Sequence, residues 1–183
     1  MAAKKKAKTR RSPVDINKAW QKLEPELAKH KREREGQGET FTSITRAEFE
    51  AKMKRVNSPM IVSQGWSNTA PPGGTINYSV GIANPDPTGW SNLAVSVSIG
   101  NRNPIASDDE FLTAFDARFP TYAKPATVGF SLAPGAFTTQ SFQVTIPTGV
   151  EKTGYFGNSV LLQISFHDIG QYLDRGCFFF DVV

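Results

Sequence analysis

The stretch Gly74-Thr75-Ile76-Asn77-Tyr78-Ser79-Val80-Gly81-Ile82-Ala83-Asn84-Pro85 decides the fold. Ile76, Tyr78, Val80 and Ile82 alternate with Asn77, Ser79 and Gly81, the period of a strand with one dry and one wet face. A Gly-rich turn precedes it and Asn84-Pro85-Asp86-Pro87 follows it. The same period recurs in Leu93, Val95, Val97 and Ile99, in Phe142, Val144 and Ile146, and in Val160, Leu162, Ile164 and Phe166. Residues 59–64, 128–132 and 176–182 are further strand candidates, giving about seven. Pro71-Pro72-Gly73-Gly74, Pro134-Gly135 and Pro147-Thr148-Gly149 supply turns between them. Seven short alternating strands in residues 58–183 predict a mainly β, antiparallel sandwich.

One part of this region departs from the pattern. Residues 101–124 are too long for a plain loop in a compact domain. Ser107-Asp108-Asp109-Glu110 reads as a capping box ahead of Phe111, Leu112 and Phe115, which predicts a helical insertion near 107–118. The rival reading takes Asp108, Asp109 and Glu110 as metal ligands, but consecutive acids at a helix start ordinarily serve the helix dipole. The expectation is therefore no metal site.

Outward from the strands, toward the N-terminus, the chemistry changes. Residues 1–57 hold 16 of the 21 Lys and Arg and 8 of the 17 Asp and Glu, a net +8, whereas residues 58–183 carry a net −4. The later part also has 17 of the 20 aromatics, so the boundary near Asn57 separates a basic arm from a packed domain. Lys4, Lys5, Lys6, Lys8, Arg10 and Arg11 form a self-repelling run, expected to be disordered over residues 1–11. It is either a solvated tail or an anchor for nucleic acid or another polyanion.

Two helices are expected in the arm, over 13–35 and 46–56. Ser12 and Pro13 suit the start of the first. Ile16, Ala19, Trp20, Leu23 and Leu27 form a narrow apolar stripe, and Pro25 should kink the helix or restart it. His30 falls in the charged stretch and is expected to be solvated. The second helix opens on a Thr45–Glu48 capping box with Ile44 and Phe49 at staple positions, and Phe49, Met53 and Val56 line one face. Both stripes are too small to fold alone. They dock on the β domain or on each other, or they are partner-docking residues: Trp20, Leu23, Leu27, Phe49, Met53 and Val56.

A family resemblance covers residues 58–183. The Gly74–Val80 turn and strand, then Ile82-Ala83-Asn84-Pro85, then Leu132-Ala133-Pro134-Gly135 resemble the CARDB-like, cell-adhesion-related immunoglobulin-type domains of bacteria. The resemblance implies an Ig-like sandwich and a binding or spacer module without catalysis. Members usually sit in secreted, multi-domain proteins, and the basic arm and the 101–124 insertion depart from their pattern.

Catalytic motifs are lacking. No GxSxG, HExxH, CxxC or phosphate-loop pattern occurs. Ser165, His167 and Asp168 lie together in sequence, which does not supply triad geometry. Cys177, the single cysteine, alternates into a strand and reads as a small core hydrophobe. Gly65-Trp66-Ser67-Asn68 echoes Gly89-Trp90-Ser91-Asn92, so Trp66 and Trp90 either plug the sandwich ends or form a ligand or interface platform. Phe178-Phe179-Phe180 puts aromatics on both faces of the last strand, which calls for cover on both sides.

The expectation is a non-enzymatic structural or interaction protein without cofactor, assembling with other subunits or a partner through its arm. The alternatives are a viral coat-type protein, since a basic arm before a β-sandwich also resembles small RNA-virus capsid proteins, and a carbohydrate-binding module. No run of about 18 apolar residues exists and no apolar stretch follows the N-terminal charges. A cytoplasmic location, or the inside of a virion or other particle, is therefore expected.

Overall fold

A computed structural model describes residues 14–55, 58–99, 126–149, 158–166 and 172–183. The order is α1 (Ile16–Glu35), β1 (Thr40–Ser43), α2 (Arg46–Arg55), β2 (Met60–Trp66), β3 (Thr69–Ala70), β4 (Thr75–Ala83), β5 (Trp90–Ile99), β6 (Ala126–Leu132), β7 (Phe137–Thr145), β8 (Asn158–Phe166) and β9 (Tyr172–Val182). The chain is mainly β, with two helices. The strands form a four-stranded sheet, β1-β2-β4-β7, and a five-stranded sheet, β3-β9-β8-β5-β6. All pairings are antiparallel except the two-residue contact of β3 with β9.

The main core lies between the sheets. Ile76, Tyr78, Val80 and Ile82 of β4 meet Leu93, Val95 and Val97 of β5, with Phe142, Val144, Phe180 and Val182 closing around them. The period-2 pattern delivers this face, since alternate side chains leave a strand on opposite sides. Every one of the seven expected strands is present. The structure adds β1 and β3, two short strands that the alternation did not single out.

The second half of β4 is buried on both faces. On its outer face lies a helical layer: Leu23 and Leu27 of α1 and Phe49 and Met53 of α2 form a second cluster with Met60, Val62 and Ala83. Alternation along β2 puts Ile61 in the main core and Met60 and Val62 against the helices, and a bulge at Val62 then brings Ser63 opposite Gly81. The architecture is helices on sheet on sheet.

Helix α1 differs from its expected form in two ways. It begins at Ile16 rather than residue 13: Asp15 is the N-cap, and its side chain accepts from the Lys18 N–H at 3.2 Å. It also runs unbroken through Pro25. Pro25 is exposed, whereas Leu23 and Leu27 on either side are held against the sheet. The carbonyl that proline leaves unbonded is thus on the solvent side, where water can satisfy it, and the buried flanks carry the helix across.

Helix α2 starts as its sequence indicates. The Thr45 N–H donates to Glu48 at 2.7 Å and the Glu48 N–H donates to the Thr45 hydroxyl at 3.3 Å. Those bonds hold the exposed Glu48 carboxyl below its ordinary range. Lys52 then reaches Asp174 of β9 at 2.7 Å, and the same carboxylate accepts the Ile61 N–H at 2.8 Å. One side chain so ties α2, β2 and β9 together. No described helix is long and apolar enough to cross a membrane.

Candidate functional site

The apolar stripe of α1 continues past Leu27 to His30, three residues on, and Arg34, four further. His30 is 2% exposed, which corrects the expectation of a solvated histidine. Its Nδ1 lies 2.9 Å from the Ser63 hydroxyl and its Nε2 lies 2.9 Å from the Ser79 hydroxyl. Either tautomer is satisfied, because a hydroxyl can donate or accept. Phe41 of β1 meets the imidazole edge-on at 5.3 Å. Burial, with the Arg34 charge one turn away, lowers the His30 pKa from 6.5 to about 4, against a smaller opposing effect of Glu33.

Small residues make room for this contact. A Cβ on Gly65 would stand 2.6 Å from the Arg34 Cγ, and one on Gly81 would stand 2.1 Å from the Ser63 hydroxyl. Gly65 thus lets the Arg34 stem approach the sheet, and Gly81 leaves room for the Ser63 hydroxyl and the Phe137 ring. Beyond them the Arg34 guanidinium reaches the buried Glu39 carboxylate at 3.5 Å.

Chemically, a Ser–His pair can activate a nucleophile only where a substrate can reach it. Ser63 and Ser79 are 3% and 0% exposed, and both ring nitrogens of His30 are occupied by them. The cluster is a polar lock between α1 and its sheet. Among the described residues no three of His, Cys, Asp and Glu gather as metal ligands would.

A groove borders this seam. With a volume of about 650 Å³, it runs between the first half of α1 and the turns at 84–87 and 134–137. Lys18 and Lys22 flank it, with Leu23, Phe49, Pro85 and Phe137 among its walls. Its far wall is rigid: the Asn84 amide donates to the Thr88 and Ala133 carbonyls at 3.0 Å, and buried Asp86 accepts the Thr88 N–H at 2.8 Å. Apolar walls, fixed turns and charges of both signs, Lys18 and Lys22 beside Asp15 and Glu26, can hold a segment or small molecule.

The expected site residues are distributed as follows. Leu23, Leu27, Phe49 and Met53 are buried on the chain's own sheet, and Trp20 packs on Phe49 with ring centroids 5.6 Å apart. Their reading as partner-docking residues is thereby corrected: the surface they required is the outer face of β2 and β4. Trp66 and Trp90 are half-buried and pack against the main core. Asn92, at φ 62°, lies within the β5 bulge that follows Trp90. Lys4, Lys5, Lys6, Lys8, Arg10, Arg11 and Val56 lie outside the described residues, as do the 107–118 insertion, His167 and Asp168. Sequence reading missed the lock at His30, Ser63 and Ser79. Its available signal was the continuing i, i+4, i+7 stripe facing Gly65 and Gly81 in adjacent strands.

No protein-family model matches this chain, and no curated protein does. Among solved structures it is similar to Spo0M, a sporulation control protein from Bacillus subtilis, at 15% identity and TM-score 0.47; 69% of this chain aligns with 50% of that one. The chain thus spans about half the length of that protein. It also loosely resembles the CARDB domain of a Pyrococcus furiosus protein, at 14% identity and TM-score 0.41, over 69% of this chain and 93% of that domain.

Proposed function

We propose that this protein is a non-enzymatic interaction subunit that uses the segment Lys4–Arg11 to hold a polyanion and its β-sandwich body to assemble with neighbouring copies. The observation that carries this reading is the segregation of charge. Residues 1–13 contain six Lys and Arg and no acid, whereas residues 14–183 contain 15 basic and 17 acidic residues, a net −2. The helical part of the arm, with its stripes packed against the sheet, belongs to the body, which narrows the arm's proposed polyanion-binding part to the cations of the first dozen residues. A phosphate polymer would meet that element as a dense, sequence-blind set of cations. The sealed His30 lock supports a body that binds rather than reacts.

The strand order also bears on the alternatives. Strands β2-β4-β7 facing β9-β8-β5 correspond to the A-B-E and G-F-C order of immunoglobulin-type sandwiches, which supports that class over a coat-type jelly roll. The half-buried Trp66 and Trp90 weigh against a carbohydrate platform.

Deletion of residues 1–11 tests the reading. The full chain should bind duplex DNA, RNA and heparin alike, with log affinity falling against log salt at a slope approaching about −5 for duplex DNA, as six neutralised phosphates require. The truncated chain should lose most of that affinity while keeping its thermal midpoint. Unchanged binding after truncation would overturn the assignment.

A further inference from the structure

We propose that β7 is a self-pairing edge, joining two copies of this chain antiparallel so that their four-stranded sheets become one. The proposal rests on the reading of the protein as an assembling subunit, and it names the contact between copies.

Sheet edges invite other strands unless shortness, charge, proline or bulges blunt them. Among the described strands, β1 and β3 are edges of four and two residues. The seven-residue edge β6 lies against a β5 that bulges between Trp90 and Leu93. The edge β7 has none of these devices. Its nine residues pair with β4 in unbroken register from Thr75↔Thr145 to Ala83↔Phe137. It contains no charged residue and no proline.

The strand's composition fits a second copy as the occupant. In a twofold antiparallel pair the strand meets its own reversed sequence, and with no charge at any position neither copy sets a charge against a like charge or an uncharged neighbour. Full overlap centres the axis on Ser141, the midpoint of Phe137–Thr145. Ser141 then faces its twin and Thr139 faces Gln143, polar pairs able to hydrogen-bond. Thr139, Ser141, Gln143 and Thr145 are exposed on the outer face, while Phe142 and Val144 point into the core. Copies held on one polyanion by their tails would meet at raised effective concentration, which favours such a modest contact.

The test is sedimentation equilibrium of the full chain over a range of concentrations. Wild-type protein should approach twice its 20.1 kDa mass. The double variant Ser141→Lys/Gln143→Lys and its partner Ser141→Glu/Gln143→Glu should each remain monomeric, with unchanged circular dichroism because both positions are exposed. An equimolar mixture of the two should regain the doubled mass. A monomeric wild type overturns the proposal and leaves the edge to an extended segment of another protein. A dimer indifferent to either double variant also overturns it. Neither result touches the tail, whose polyanion binding is read separately with the 1–11 deletion.

Discussion

His30 shows how one side chain converts burial into pH dependence. The unfolded chain takes up a proton near 6.5, whereas the folded chain takes it up only near 4. Between those values the unfolded state holds more protons, so stability falls as pH drops from 6.5 to 4, and no penalty exists above that window. A shift from 6.5 to about 4 corresponds to at most about 3 kcal/mol, fully lost below pH 4. Urea unfolding of wild type and His30→Gln across pH 3.5–7.5 isolates this from the titrating carboxylates; parallel stability curves would refute it. The glycines argue at the same scale. Ala at position 81 would press on Ser63 and on the Phe137 ring at 2.9 Å, so Gly81→Ala should cost about 1–3 kcal/mol. Gly149, with nothing near its Cβ direction, provides a control expected within about 0.5 kcal/mol of wild type. Equal midpoints for the two variants in thermal melts would contradict the tight packing of Ser63 and Phe137 over Gly81.

The helical layer behaves as an element because its parts share one dock. Phe49 is 1% exposed and packs on Trp20, so Phe49→Ala should destabilise the protein by about 3–5 kcal/mol in denaturant titration. A loss below about 1 kcal/mol would mean that α2 is not anchored where the structure puts it. Elements with strong local signals were legible in advance. The seven alternating strands and the Thr45–Glu48 cap depend on residues within a few positions of each other. Strands β1 and β3 were not legible, because four and two residues carry too little periodicity and owe their pairing to the edges of β2 and β9. The passage of α1 through Pro25 was equally hidden: proline's local cost is visible in sequence, but its solvent-facing position is set by where Leu23 and Leu27 land.

For the whole molecule, the proposed function gives the +6 tail, the nearly balanced helical layer and the sandwich three separate tasks: attraction, cover and framework. Tail removal should therefore alter salt-sensitive binding and leave folding intact, while changes on β7 should alter mass and leave polyanion binding intact. The sequence by itself determined the β alternation, the helix caps and the segregation of charge, since each is written in composition or in spacing along a single element. Only the tertiary structure decided that the arm's stripes cover the chain's own sheet and that His30 is sealed between Ser63 and Ser79. Those serines are 33 and 49 residues away from it. The burial of a helical stripe depends on small side chains that two other strands bring together, and no local period encodes that meeting.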